Sequence, residues 1–232
     1  MGQGRSGQGW YRQGAGQMTR RATLGFLLAL SCTSPGAQKR ERDMIQANTD
    51  APQGGQAASL LKREAQEAAA QSRRYFTIDA LPVRERLRQA AQAQELSLEG
   101  MTPLERFFVV AASPAAATKA GAQAVAQSYC AALKSLPADW WGLPGETDTA
   151  IGQTLLGLGR STVPCLVELL GDAAPLSYLN GESNAMSQEF SYGVADLAAG
   201  FLARILHEPF DGRAGAEERR AAREQLRIAA RR

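Results

Sequence analysis

Few side chains in this sequence have the types and spacing that chemistry requires. There is a single histidine, His207, and the three cysteines, Cys32, Cys130 and Cys165, include no Cys-x-x-Cys pair. Because zinc sites need Cys and His at close and characteristic spacings, this pattern does not predict one. His207 lies at the end of an apolar helical pattern, which favours a role at a helix C-terminus over general-base catalysis. We predict neither a metal nor a cofactor.

Acidic side chains are the other source of reactivity. Glu182 and Glu189 fall within residues 173–190, which we predict to be a long loop. Asp172 directly precedes this loop. Paired carboxylates can serve hydrolysis or bind calcium, but the spacing of a calcium loop is not met. We therefore predict that these acids are solvent-exposed and that the protein is not an enzyme. An exported hydrolase using these carboxylates and the histidine is the alternative.

The elements that position these side chains are predicted to be helices. The chain is rich in Ala, Leu, Gln, Glu and Arg, which favour helix, and lacks the alternating Val, Ile, Thr and Tyr pattern of sandwiches and barrels. Apolar residues recur at i, i+3, i+4 and i+7 in several segments, first at Leu104, Phe107, Phe108 and Ala111. The predicted fold class is all-α, either an irregular helical bundle or a short stack of antiparallel helical hairpins, with a disordered N-terminal region.

The helical patterns differ in strength along the chain. Residues 56–100 read as weakly packed helices, and residues 101–210 as the compact domain. The domain begins with Thr102-Pro103-Leu104-Glu105, a capping box with proline at the first helical position. Residues 211–232 read as a basic helical tail, solvated or frayed, with adhesion to anionic lipid or an acidic partner as the sharper alternative.

Trp140 and Trp141 stand together in a connector rich in Gly and Pro. Adjacent side chains point in different directions on a helix or strand, so burial of both in one core requires the connector to lie flat on the domain. Packing is the favoured interpretation, because aromatic residues in such loops usually hold the loop against the domain. The pair also supplies the candidate partner contacts, since one ring could anchor a partner.

Residues 18–32 combine two arginines, an apolar run from Leu24 to Leu30, a serine and a cysteine, which are the parts of an export signal. This segment resembles a bacterial lipoprotein signal, and the resemblance implies acylation of Cys32. An ordinary cleavage site and twin-arginine export remain open. We predict an upstream extension at 1–17, the signal at 18–31 and a flexible tether at 32–55. A cytosolic helical protein with no signal is the alternative.

Cys130 and Cys165 remain once Cys32 is assigned to the lipid. They could form a disulfide in an oxidising compartment. Each also lies in an apolar helical pattern, where a free buried thiol is ordinary. The sequence allows both states, and of the two it favours the free thiols.

Residues 148–207 contain a second resemblance. Leu155-Leu156-Gly157-Leu158-Gly159, then Val163-Pro164-Cys165-Leu166 and Val194-Ala195-Asp196-Leu197, are similar to the helix junctions of HEAT-like repeats. The resemblance implies a stack of helical hairpins with a groove that binds protein or peptide.

The net charge of +3 changes when the signal is removed. The chain from Cys32 onward carries −1, and the basic excess lies in residues 212–232. A nucleic-acid-binding domain would show a basic stripe on its folded body, so we predict no nucleic-acid partner. The expected function is a non-catalytic protein-interaction module, exported to the periplasm or the outer surface of a bacterial membrane, with a lipid anchor on Cys32 and an unknown protein partner.

Overall fold

A computed structural model describes residues 54–92 and 96–232 of the chain. These residues form ten α-helices and no β-strand, which confirms the all-α class. The predicted upstream extension, export signal and Cys32 lie outside the described residues, as does almost all of the predicted tether. The helices are α1 (Gly54–Ala70), α2 (Leu81–Ala91), α3 (Pro103–Ala112), α4 (Pro114–Ala120), α5 (Ala122–Ser135), α6 (Ala150–Gly157), α7 (Val163–Leu169), α8 (Gly181–Phe190), α9 (Val194–Leu206) and α10 (Ala216–Ala229).

The capping box predicted at the start of α3 is present. The Glu105 amide donates to Thr102 Oγ1 at 3.3 Å, and the Thr102 amide donates to Glu105 Oε2 at 2.8 Å. These two bonds satisfy backbone donors that a helix N-terminus leaves free. The helix that follows buries both phenylalanines of its apolar stripe, Phe107 and Phe108.

Gly121 adopts φ of +77° and ends α4 before α5 begins. One local prediction was wrong. Residues 173–190 are not wholly a loop, because their second half forms α8. Asn180 caps this helix by accepting a hydrogen bond from the Ser183 amide at 2.7 Å. Only Ser187 of α8 is buried, so the helix has no apolar periodicity to indicate it.

The hydrophobic core extends beyond residues 101–210. Leu61 of α1 and Leu87 of α2 are buried in the same cluster as Phe108 of α3. At the other end, Leu226 of α10 is 2% exposed and belongs to this cluster as well. Residues on both sides of the predicted boundaries at 101 and 210 therefore share one core, and the inner face of the helix in the predicted tail is packed against the domain.

The helices that carry the HEAT-like resemblance lie close together. Both α6 and α7 pack against α9, and α7 also packs against α5. The assignment of these helices to a repeat family stays a prediction.

A close backbone approach fixes the connector that follows the two tryptophans. A Cβ atom at Gly200 of α9 would lie 2.6 Å from the Gly145 nitrogen, and one at Gly212 would lie 1.8 Å from the Pro144 oxygen. Only glycine permits such contacts, so residues 142–147 are held between α9 and the loop before α10. The connector thus lies flat on the domain, which is the condition set above for burial of the tryptophans.

A disulfide joins Cys130 of α5 to Cys165 of α7, with Cα atoms 6.1 Å apart. The structure thereby selects the paired state over the free thiols that the sequence favoured. The sequence could not decide this because each cysteine sits in its own apolar stripe, and only the packing of α5 on α7 brings the two together.

The disulfide provides a stability prediction. The double variant Cys130→Ser/Cys165→Ser should lose about 4 kcal/mol in free energy of unfolding, because the bond closes a loop with a sequence separation of 35 residues. Urea unfolding followed by circular dichroism measures this. A reducing agent should lower the stability of the wild type to the level of the variant and leave the variant unchanged. Equal stability of the oxidised wild type and the variant would contradict the prediction.

Candidate partner-binding groove

The structure gives the two tryptophans different environments. Trp141 has no exposed surface, and its ring lies 6.2 Å from Phe107, 6.4 Å from Tyr129 and 6.1 Å from Phe201 between centroids. Such distances are typical of packed aromatic clusters. Trp141 is therefore a core residue in this structure and has no surface to offer a partner.

Trp140 is half-buried and keeps an exposed edge. Its ring lies 4.7 Å from that of Phe76. The neighbouring Asp139 accepts hydrogen bonds from the amides of Leu179 and Asn180, at 2.5 and 3.2 Å, and one from the Asn180 side chain. The turn before α8 is thus fixed beside Trp140, which remains the candidate contact of the pair.

The acids predicted for the loop are dispersed. Glu182 and Glu189 are exposed on α8. Asp172 forms an ion pair with Lys134 at 2.8 Å and accepts the Ala174 amide at 3.0 Å. The hydrogen bond from Lys134, followed by that from the Ala174 amide, lowers the pKa of Asp172. This carboxylate is therefore ionised and held in place.

His207 lies far from Asp172. It follows the last residue of α9 in a left-handed conformation, with φ of 59°, whereas the Asp172 carbonyl contacts the first turn of the same helix through the Ala195 amide. At 1.5 Å per residue, the length of α9 separates the two ends by about 18 Å. The geometry does not bring together His207 and Asp172, one of the carboxylates named for the hydrolase alternative.

Three adjoining cavities, together named the α10 groove, extend from α10 past the turn after α7 to α8 and the turn that follows α8. Their volumes are about 590, 220 and 440 Å³. The first two share Leu170, Gly171 and Arg223, and the second and third share Ala173, Ser191 and Gly193. Because they share lining residues, the three cavities adjoin one another.

A buried carboxylate at the second cavity joins α10 to α9. Asp196 of α9 is 3% exposed and lies 2.6 Å from an Arg223 guanidinium nitrogen and 3.2 Å from Arg219 Nε. Its second oxygen accepts the Gly193 amide at 3.1 Å. Because a buried carboxylate is stable only when it is paired and hydrogen-bonded, these contacts fix α10 on α9.

Arg219 is itself buried, with 2% of its surface exposed. Its guanidinium donates to the carbonyl oxygens of Phe190 and Ala214 at 2.5 and 2.6 Å and lies 5.0 Å from the centre of the Tyr192 ring. Arginine suits this position because its planar fork can satisfy several acceptors at once. The contacts tie α10 to the turn between α8 and α9.

The outer wall of the groove carries charges of both signs. Arg220 is paired with Glu217, and Arg227 with Glu224, each within α10. In the third cavity, which has no α10 residue in its lining, the extended segment at 174–176 is hydrogen-bonded to Tyr192 and Val194. The groove therefore offers a polar, mixed-charge wall and an ordered backbone segment, which suit a polar peptide better than an apolar ligand.

Sequence reasoning missed the residues that build this groove. Asp196 is the single acid within an otherwise apolar stretch of α9, and an isolated acid there indicates a buried ion pair. Its partners in α10 are not recognisable from sequence, because six of the nine residues from 216 to 224 are charged and nothing singles out Arg219.

Fold and groove define an all-α domain with one disulfide among its described residues. No known protein family, curated protein or solved structure matches this chain. Within residues 54–92 and 96–232, no His, Cys, Asp and Glu side chains cluster as metal ligands. No helix in the same ranges is long and apolar enough to cross a bilayer.

Proposed function

We propose that this protein is an exported, lipid-anchored, non-catalytic helical domain that binds another protein at the bacterial envelope. The disulfide between α5 and α7 supports the proposed export, because disulfides persist in oxidising compartments and are rare in the cytosol. The α10 groove supports the binding role, because its three cavities adjoin one another and hydrogen bonds and an ion pair hold its lining in place.

The location is tested by intact mass of the protein purified from bacterial membranes under alkylating conditions. We expect a diacylglyceryl modification on Cys32 and no alkylation of Cys130 or Cys165. The variant Cys32→Ser should lose the lipid mass and leave the membrane fraction. A soluble, full-length species with alkylated cysteines would overturn the proposal.

The binding role is tested by co-purification from crosslinked envelopes. The double variant Arg220→Glu/Arg227→Glu reverses two charges of the groove. It should recover at least about tenfold less of the partner than the wild-type protein does, because a loss of about 1.4 kcal/mol in binding free energy weakens binding tenfold. Arg88→Glu is the matched control, because Arg88 forms a similar pair with Glu85 on α2. Unchanged recovery with the groove variant would exclude the groove as the binding site.

The variant Trp140→Ala tests the second candidate contact, Trp140, independently of the groove. Trp141 is left intact, because it is a core residue. Loss of partner recovery in this variant alone would place the contact at Trp140 and not in the α10 groove.

A further inference from the structure

The turn that leads into α2, together with the first residue of α2, exposes large apolar side chains. Ile78 is 77% exposed and Leu81 is 50% exposed, and they lie three residues apart at a helical turn. Single exposed apolar residues are ordinary, but Ile78 has the highest exposure of any large apolar side chain in the described residues. Residues three apart lie on one face of a helical turn, so the two side chains form one apolar surface, the tip.

Arginines flank this tip. Arg74 is exposed, and its carbonyl accepts the Thr77 amide at 2.8 Å, which turns the chain into the tip. Arg84 donates to the Thr77 carbonyl at 3.4 Å from the other side. Arg73, whose guanidinium donates to Ser177 Oγ at 2.9 Å, brings residues 73–84 to three basic side chains against one acid, Asp79.

The charge of these arginines is not neutralised within the domain. Among the described residues, no carboxylate forms an ion pair with Arg73, Arg74 or Arg84. On α10, by contrast, Arg220 and Arg227 each pair with a nearby glutamate. The tip therefore combines apolar side chains with a net positive charge.

We propose that this tip docks on the surface of an anionic lipid bilayer, with Ile78 and Leu81 in the interface and the arginines on lipid phosphates. Apolar side chains and basic side chains act together at such surfaces. The inference rests on the proposed export and anchoring. The chain from Cys32 to Gly54 can span at most about 75 Å, so an anchored domain can bring the tip to the membrane.

A second copy of the chain is a poorer occupant of this surface. A two-fold symmetric dimer through the tip would place the arginines of both copies near one another. Like charges across an interface oppose association, whereas an anionic bilayer attracts them.

The test uses a fluorophore that reports its environment. The purified full chain carrying Cys32→Ser receives one new thiol, Leu81→Cys, labelled with a polarity-sensitive dye. With phosphatidylglycerol–phosphatidylcholine vesicles we expect a blue shift that salt weakens and that phosphatidylcholine vesicles do not produce. The same dye at Ile228→Cys is the matched control, because Ile228 is also exposed but lies on α10.

The charge requirement is tested in the same labelled protein. Arg74→Gln should weaken the apparent affinity for the anionic vesicles roughly fivefold, the change expected for one arginine near the surface. Arg160→Gln, which removes an exposed arginine between α6 and α7, should leave it unchanged.

Three outcomes would overturn the proposal. They are no shift with anionic vesicles, an equal shift at Ile228, and a shift without vesicles that grows with protein concentration, which indicates a second copy. The measurement does not require acylation of Cys32. Failure of the docking and failure of the proposed anchoring are therefore distinguishable.

Discussion

Replacement of Asp196 by alanine should lower the free energy of unfolding by about 3–5 kcal/mol, which is the cost of leaving one partner of a buried ion pair without its counter-charge. Arg219, 2% exposed, would keep its charge and lose the only carboxylate within ion-pair distance among the described residues. Arg223 would lose the same partner. The effect should exceed that of any surface charge in the domain.

Urea unfolding followed by far-ultraviolet circular dichroism measures this loss. Asp148→Ala is the matched control, because Asp148 is 92% exposed and lies 3.7 Å from Arg204. Exposed pairs contribute about 0–1 kcal/mol, so this control should differ little from the wild type. Equal losses in the two variants would show that Asp196 is not a buried anchor.

Hydrogen exchange locates the consequence of the same substitution. Because Asp196 holds α10 through two arginines, we expect the amides of α10 to lose protection before those of α3 and α5. Uniform loss of protection throughout the domain would contradict this order. The α10 groove would then be part of the global unfolding unit.

Replacement of Trp141 by alanine should cost about 3–5 kcal/mol, the range for removal of a buried aromatic side chain that leaves a cavity. Trp141 is fully buried among Phe107, Tyr129 and Phe201, which come from α3, α5 and α9. Its ring therefore contacts residues of three helices. The cavity left by its removal cannot be filled by the movement of a single side chain.

Trp140→Ala provides the internal comparison, because the two residues are adjacent and differ in burial. Trp140 packs on Phe76 but remains half-buried, so its removal should cost clearly less. Urea unfolding gives the two free energies, and near-ultraviolet circular dichroism reports loss of the aromatic cluster in the Trp141 variant. A larger cost for Trp140 would reverse our assignment of the core residue.

Local patterns predicted the fold class and several element boundaries. The i, i+3, i+4 spacing of apolar residues indicated helices, and Thr102 with Glu105 indicated where α3 begins. These signals are readable because helical hydrogen bonds and caps join residues close in sequence. The sequence did not predict α8, because its ten residues bury only Ser187 and present no apolar stripe.

The candidate groove was outside the reach of such patterns. Burial of Asp196 and Arg219 depends on the approach of α10 to α9, and these residues stand 23 positions apart. The choice between Trp140 and Trp141 depends on which ring the flat connector turns inward. Pairing of Cys130 with Cys165 likewise requires two helices to meet.

The sequence by itself determined that the described chain is helical, and it marked the pair of tryptophans and the cysteines as residues of interest. Only the tertiary structure decided that Trp141 is core, that the cysteines are joined, and that α10 forms one wall of a groove. The physical reason is the range of the interactions: hydrogen bonding and periodicity act within one helix, whereas burial and ion pairing are settled by which helix faces pack together.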